Sequence, residues 1–124
     1  MIKGSSARHS AHPLHPLFLD RWSPRAMSGA ALSEAEMLSL FEAARWAPSS
    51  GNFQPWRFLY ARRDRDFWPT FMDLLVPGNR SWAERAGALV LCLSRTQLED
   101  GRPCVTHSYD TGAAWENLAL QASL

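Results

Sequence analysis

The chain has 124 residues, 46% hydrophobic and 20% charged, with a formal net charge of +1. That is a globular composition, long enough for one domain with a core, and its near-neutral charge excludes nucleic-acid binding by bulk electrostatics. Its only lysine is Lys3, near the N-terminus, which excludes a catalytic lysine or a phosphate loop built on one; Cys92 and Cys104 fit neither a metal spacing nor a disulfide framework, and no stretch reaches membrane-spanning length, so a soluble cytoplasmic protein is expected.

Residues 1–11 are polar and aperiodic and read as a mobile tail, which places the domain at residues 12–124. His12-Pro13-Leu14-His15-Pro16 opens a short helical or turn segment running through Leu19. His9, His12 and His15 have no cysteine or carboxylate at ligand spacing, and Pro13 and Pro16 break their register, so no metal site is read there. Arg21, Ser23 and Arg25 follow in an irregular segment. Two guanidiniums and a hydroxyl at i, i+2 and i+4 form either a solvated basic turn or a grip on one oxyanion, for which the forked Arg head is suited.

Ser33-Glu34-Ala35-Glu36 is a capping box that starts a helix ending near Arg45. Met37, Leu38, Phe41 and Ala44 form its expected core stripe, with Glu34, Glu42 and Arg45 outward. Pro48 stops the helix near Ala47. The corner Pro48-Ser49-Ser50-Gly51-Asn52 is closed by Gln54-Pro55-Trp56. Gly51 takes positive φ at little cost, Asn52 tolerates it, and Pro55 is expected to push Gln54 towards extended geometry. The corner displays two hydroxyls and two carboxamides beside Trp46 and Trp56. Such a composition makes an ordinary loop; it also suits a flat heteroaromatic ligand that needs hydrogen bonds at its edge and apolar contact on its face.

A strand is expected over 56–61 and a charged bend over 62–66. Residues 67–75 read as a helix reset by Pro69 and ended by Pro77-Gly78, after which Asn79 opens a short helix through Arg85. Residues 88–93 are apolar without alternation, as for a strand covered on both faces. The last helix starts near Thr106 or Ser108. Asp110 lies in its first turn, where a carboxylate favours the helix dipole. Ala113, Ala114, Leu118, Ala119 and Ala122 give it a small-residue face, which Trp115 and Leu120 extend.

Three of these segments, in this order, resemble the nitroreductase family. They are R-W-S-P-R at 21–25, P-S-S-G-N-F-Q-P-W at 48–56, and S-Y-D-T-G-A-A-W-E-N-L-A-L-Q-A in the last helix. The resemblance implies an α+β fold, a nitroreductase-like three-layer α/β/α sandwich in an intertwined homodimer, and FMN as cofactor with NAD(P)H as co-substrate. It assigns Arg21, Ser23 and Arg25 to the FMN phosphate. Pro48, Ser49, Ser50 and Asn52 would reach the isoalloxazine from the partner subunit, and Gln54 would fix the corner or lie near the flavin edge. Asn79 matches a flavin-contacting asparagine of some members, whereas Trp82 stands where some carry a basic one. Flavin carries the hydride chemistry in such a site, so no side chain need act as acid or base, and no catalytic constellation is read here.

Family members continue past the last helix, whereas this chain ends N-L-A-L-Q-A-S-L without a helix stop. It therefore reads as an N-terminal portion, apparently truncated after the central helix, marginally stable and prone to self-association. The expected function is electron transfer from NAD(P)H to a nitroaromatic, quinone or similar small-molecule acceptor, without nucleic acid or membrane. The alternative is a non-catalytic fragment or flavin-binding/dimerisation module. A further rival is a ligand platform of Trp46, Trp56 and Trp82.

Overall fold

The computed structural model describes residues 3–63 and 65–124. Helix α2 (Glu34–Arg45) begins where its chemistry dictates. Ser33 Oγ accepts the Glu36 N–H at 3.2 Å, and Glu36 Oε2 accepts the Ser33 N–H at 2.7 Å. These bonds satisfy two of the orphan donors at the helix start. The Ser33 hydroxyl also holds the Glu36 carboxyl below the usual carboxylate range. The helix ends at Arg45 with Trp46 as its C-cap, two residues before Pro48.

Met37 and Ala44 are fully buried, but Leu38 is 56% exposed, which corrects the expected stripe. Phe41 packs against the core as expected, and Leu40 does so in place of Leu38. Positions 37, 40, 41 and 44 repeat as i, i+3, i+4 and i+7, whereas Leu38 is turned about 100° away from Met37.

Strands β1 (Trp56–Arg62) and β2 (Ala88–Ser94) pair antiparallel, with Trp56 opposite Ser94 and Arg62 opposite Ala88. Between them lie α3 (Trp68–Asp73) and α4 (Pro77–Ala83); α1 (Pro16–Asp20) precedes α2, and α5 (His107–Gln121) follows β2. The class is α+β, as the resemblance implies. Pro77 is the first residue of α4, so Pro77-Gly78 opens that helix rather than ending the one before. A proline fits a first turn, where its missing N–H would have had no intrahelical partner. His15 caps α1, its Nδ1 accepting the Leu17 N–H at 3.2 Å. Residues 4–8 of the expected tail lie against α1.

One core joins the layers. Ala44 and Ala47 at the end of α2, Trp56 of β1, and Ala114 and Leu118 of α5 form a buried cluster, with Phe58 and Val90 packed on it. Small residues at 44, 47 and 114 let α2 and α5 approach closely, and Asn117 Nδ2 of α5 donates to the Ala43 carbonyl at 3.2 Å. Phe41 stacks on Phe58 with centroids 5.6 Å apart. Alternation along the strands sends Leu59, Leu91 and Leu93 to the other face, where all three are exposed. The expectation of a β2 covered on both faces is thereby corrected. An apolar run marks a strand that can be buried twice; only the packed layers decide whether it is.

Candidate functional site

The corner between α2 and β1 is held by its own backbone and by α5. Residues Ser50–Asn52 form a single 3-10 turn, with φ +55° at Gly51 and +53° at Asn52. Gln54 also has positive φ, +48°, which corrects the expected extended geometry. Pro55 excludes right-handed helical geometry at Gln54, and Ser49 Oγ accepts the Gln54 N–H at 3.0 Å, holding it on the left-handed side. Ser49 thus braces the corner from within. The Ser50 hydroxyl and the Asn52 carboxamide make no hydrogen bond among the described residues and stand exposed.

Asp110 is the member that local reading undervalued. It is 4% exposed, and its Oδ2 accepts the Ser50 N–H at 3.2 Å and the Thr106 hydroxyl at 2.8 Å. The sequence placed it in the first turn of a helix; the fold makes it the tie between that helix and the corner. Its signal was present in the D-T-G motif, but its partner is 60 residues away. Between corner and helix lies an open cleft of about 680 Å³ lined by Pro48, Ser49, Ser50, Ser108, Tyr109 and Gly112. That volume is in the range of small-molecule sites.

The tryptophans divide. Trp56 is 8% exposed and belongs to the core beneath the corner, so it offers no face to a ligand. Trp46 is exposed, its Nε1 donating to Glu42 at 3.0 Å. Glu42 also accepts both prongs of Arg45, and these bonds hold its carboxyl below the usual range. Trp82 is half-buried, with its Nε1 enclosed and without a hydrogen-bond partner among the described residues.

Arg21 and Ser23 meet at a second cavity, of about 330 Å³, walled by Trp22, Trp115 and Ala119. Arg21 Nε lies 3.6 Å from Glu116 Oε1 of α5. Arg25 is exposed and does not line this cavity, so two of the three predicted members converge here. Asn79 is exposed on α4 and lines neither cavity. The corner and the Arg21–Ser23 pair therefore occupy two separate sites of one chain, both walled by α5. A cation and a hydroxyl beside flat aromatic walls fit a phosphorylated aromatic group such as FMN; the unbraced Ser50 and Asn52 fit its polar edge.

Ser94 Oγ and His107 Nδ1 are 2.7 Å apart, a pair the sequence did not announce, and it fastens the end of β2 to the start of α5. Burial pushes the Cys92 thiol up, away from thiolate chemistry. Among the described residues no cluster of His, Cys, Asp and Glu is placed to hold a metal, and no helix is long and apolar enough to cross a membrane.

Solved structures share this architecture. An oxidoreductase containing FMN is 47% identical with a TM-score of 0.91, over 98% of this chain and 63% of its own. A Clostridium acetobutylicum protein assigned as an NADH oxidase is 27% identical with a TM-score of 0.70, over 86% and 61%. An FMN complex of a protein assigned as a nitroreductase from Desulfovibrio desulfuricans is 24% identical with a TM-score of 0.72, over 91% and 63%. The chain thus spans less than two thirds of the length of each, and no curated protein matches it. The fold is that of a class of α+β flavin-containing oxidoreductases. The Nitroreductase family model matches residues 19–123, so the chain belongs to the nitroreductase family. That span contains every candidate residue from Arg21 to Asn79, and Asp110 and Glu116 as well.

Proposed function

We propose that the chain supplies the FMN-binding portion of an NAD(P)H-dependent oxidoreductase whose acceptor is a nitroaromatic, a quinone or a similar small molecule. The observation that carries the reading is the pairing of Arg21 and Ser23 on an aromatic-walled cavity. Arg21 and Ser23 would hold the phosphate through charge-assisted hydrogen bonds, with Arg25 free to join them from solvent. Ser50 and Asn52 would meet the donor and acceptor atoms of the ring edge, and Pro48 and Tyr109 would exclude water from its face. Flavin, when bound, supplies the hydride and electron transfer. The 47% identical relative, described as containing FMN, supports the cofactor, and the name of the NADH oxidase supports the nicotinamide.

The two sites lie apart in one chain, which supports a homodimer in which the corner of one copy and the phosphate grip of the other serve one flavin. A second reading is a flavin-binding and dimerisation module without turnover. Flavin absorbance of the purified protein, together with NAD(P)H oxidation in the presence of a quinone, separates the two. Bound FMN with turnover supports the enzyme, bound FMN without turnover supports the module, and a protein that does not take up FMN on titration sinks both.

A further inference from the structure

We propose that residues 4–8 form a strap that positions Arg21, with Arg8 as a positioning residue that helps the protein prefer a phosphorylated flavin. Three independent contacts carry this. Arg8 Nη1 donates to the Leu19 carbonyl at 3.2 Å and to the Arg21 carbonyl at 2.9 Å. The Ser5 backbone N–H donates to Asp20 Oδ1 at 2.7 Å. Gly4 lies so close to Leu19 that a Cβ there would overlap the Leu19 carbonyl oxygen. The strap therefore grips residues 19, 20 and 21 in succession.

Those three residues end α1, whose last N–H bond runs from Arg21 back to Leu17. Carbonyls at a helix end have lost their intrahelical donors and need others. Arg8 supplies one donor for two of them and places a positive charge at the negative end of the segment. Holding the Arg21 carbonyl fixes the backbone from which its side chain departs, while Glu116 Oε1 stands 3.6 Å from the guanidinium Nε. Arg21 is thus held at its root before any ligand arrives, which reduces the backbone freedom lost on binding. The strap lies outside the span 19–123 that the family model matches. Ser5 contacts also hold the Asp20 carboxyl below the usual range, as an engaged strap requires.

The inference rests on the phosphate reading of Arg21, and the experiment separates the two. Dissociation constants for FMN and for riboflavin are measured by fluorescence titration of the full 124-residue chain and its Arg8→Ala, Gly4→Val and Arg8→Lys variants. The expected result is that wild type prefers FMN. Arg8→Ala and Gly4→Val should each reduce that preference about five-fold, less than the loss of a charged hydrogen bond to the phosphate itself, with riboflavin affinity held. Arg8→Lys, which keeps a cationic donor, should retain most of the preference. Circular dichroism confirms the fold of each variant, and Gly4→Val disturbs the strap without altering charge. An undiminished preference in Arg8→Ala and Gly4→Val overturns the strap and leaves the grip standing, and equal weakening of both ligands also overturns it, as a general loss of packing. A wild type that does not distinguish FMN from riboflavin overturns the grip and the strap together.

Discussion

Asp110 Oδ2 accepts the backbone N–H of Ser50 at 3.2 Å, joining the first turn of α5 to the corner. The same oxygen accepts the Thr106 hydroxyl at 2.8 Å. One buried carboxylate thus sets both the start of the helix and the position of the polar turn that faces the cleft.

Removing it should therefore cost more than a surface change. Asp110→Ala removes the acceptor of the Ser50 N–H and the Thr106 hydroxyl, two part-buried hydrogen bonds worth about 1 kcal/mol each. The melting temperature should fall by roughly 4 °C or more. Asp110→Asn keeps an acceptor oxygen and should lose less. Thermal melts of the three proteins decide it, and equal melting temperatures would show that the tie contributes nothing.

The anion grip predicts selectivity between ligands. Arg21→Ala removes charge-assisted hydrogen bonds worth roughly 1.5–3 kcal/mol each, so FMN binding should weaken about ten-fold or more. Riboflavin lacks the phosphate and should be little affected. Equal losses for the two in parallel titrations would remove the phosphate role of Arg21.

At the corner, backbone geometry dictates which variant is informative. Asn52 has φ +53°, so a leucine there would both remove the carboxamide and strain the backbone. Asn52→Gly removes the carboxamide while accepting the geometry without a Cβ penalty. The melting temperature should hold, and flavin occupancy should drop. Unchanged flavin titration alongside an unchanged melt would return Asn52 to the role of a turn residue.

The start of α2 predicts a pH dependence. The folded state holds the Glu36 carboxyl below its ordinary value of 4.5, first through the Ser33 hydroxyl and then through the Ser33 N–H. A depressed folded-state pKa means that the unfolded chain binds the proton more readily. The box therefore stabilises the protein above the unfolded value, and the contribution fades as pH falls through the lower folded one. Ser33→Ala should cost about 1 kcal/mol at neutral pH. Glu36→Ala should melt below wild type at pH 7 and approach it as pH falls below 4.5, in melts at matched ionic strength. A gap independent of pH would mean that the carboxylate charge takes no part.

The sequence by itself determined what short stretches can decide. Ser33 and Glu36 are three residues apart, and their reciprocal bonds need no other part of the chain. Pro48 ends α2, and Gly51 and Asn52 adopt the positive φ their side chains allow, because sterics act on nearest neighbours. The order of three motifs sufficed to place the chain in its family, as the model match over residues 19–123 bears out.

Tertiary structure alone decided what depends on partners far along the chain. Asp110 imposes geometry on the corner through a bond that spans 60 residues, whereas the Ser49 bond that accompanies the left-handed Gln54 lies within the corner itself. Leu38 and Leu40 are equally apolar, and the helical repeat shared with Met37, Phe41 and Ala44 places Leu40 on the packed side. Hydrophobicity tells which residues gain by leaving water, but not which surface arrives to cover them. For that reason Trp56 became core, and Leu59, Leu91 and Leu93 remained on an open sheet face.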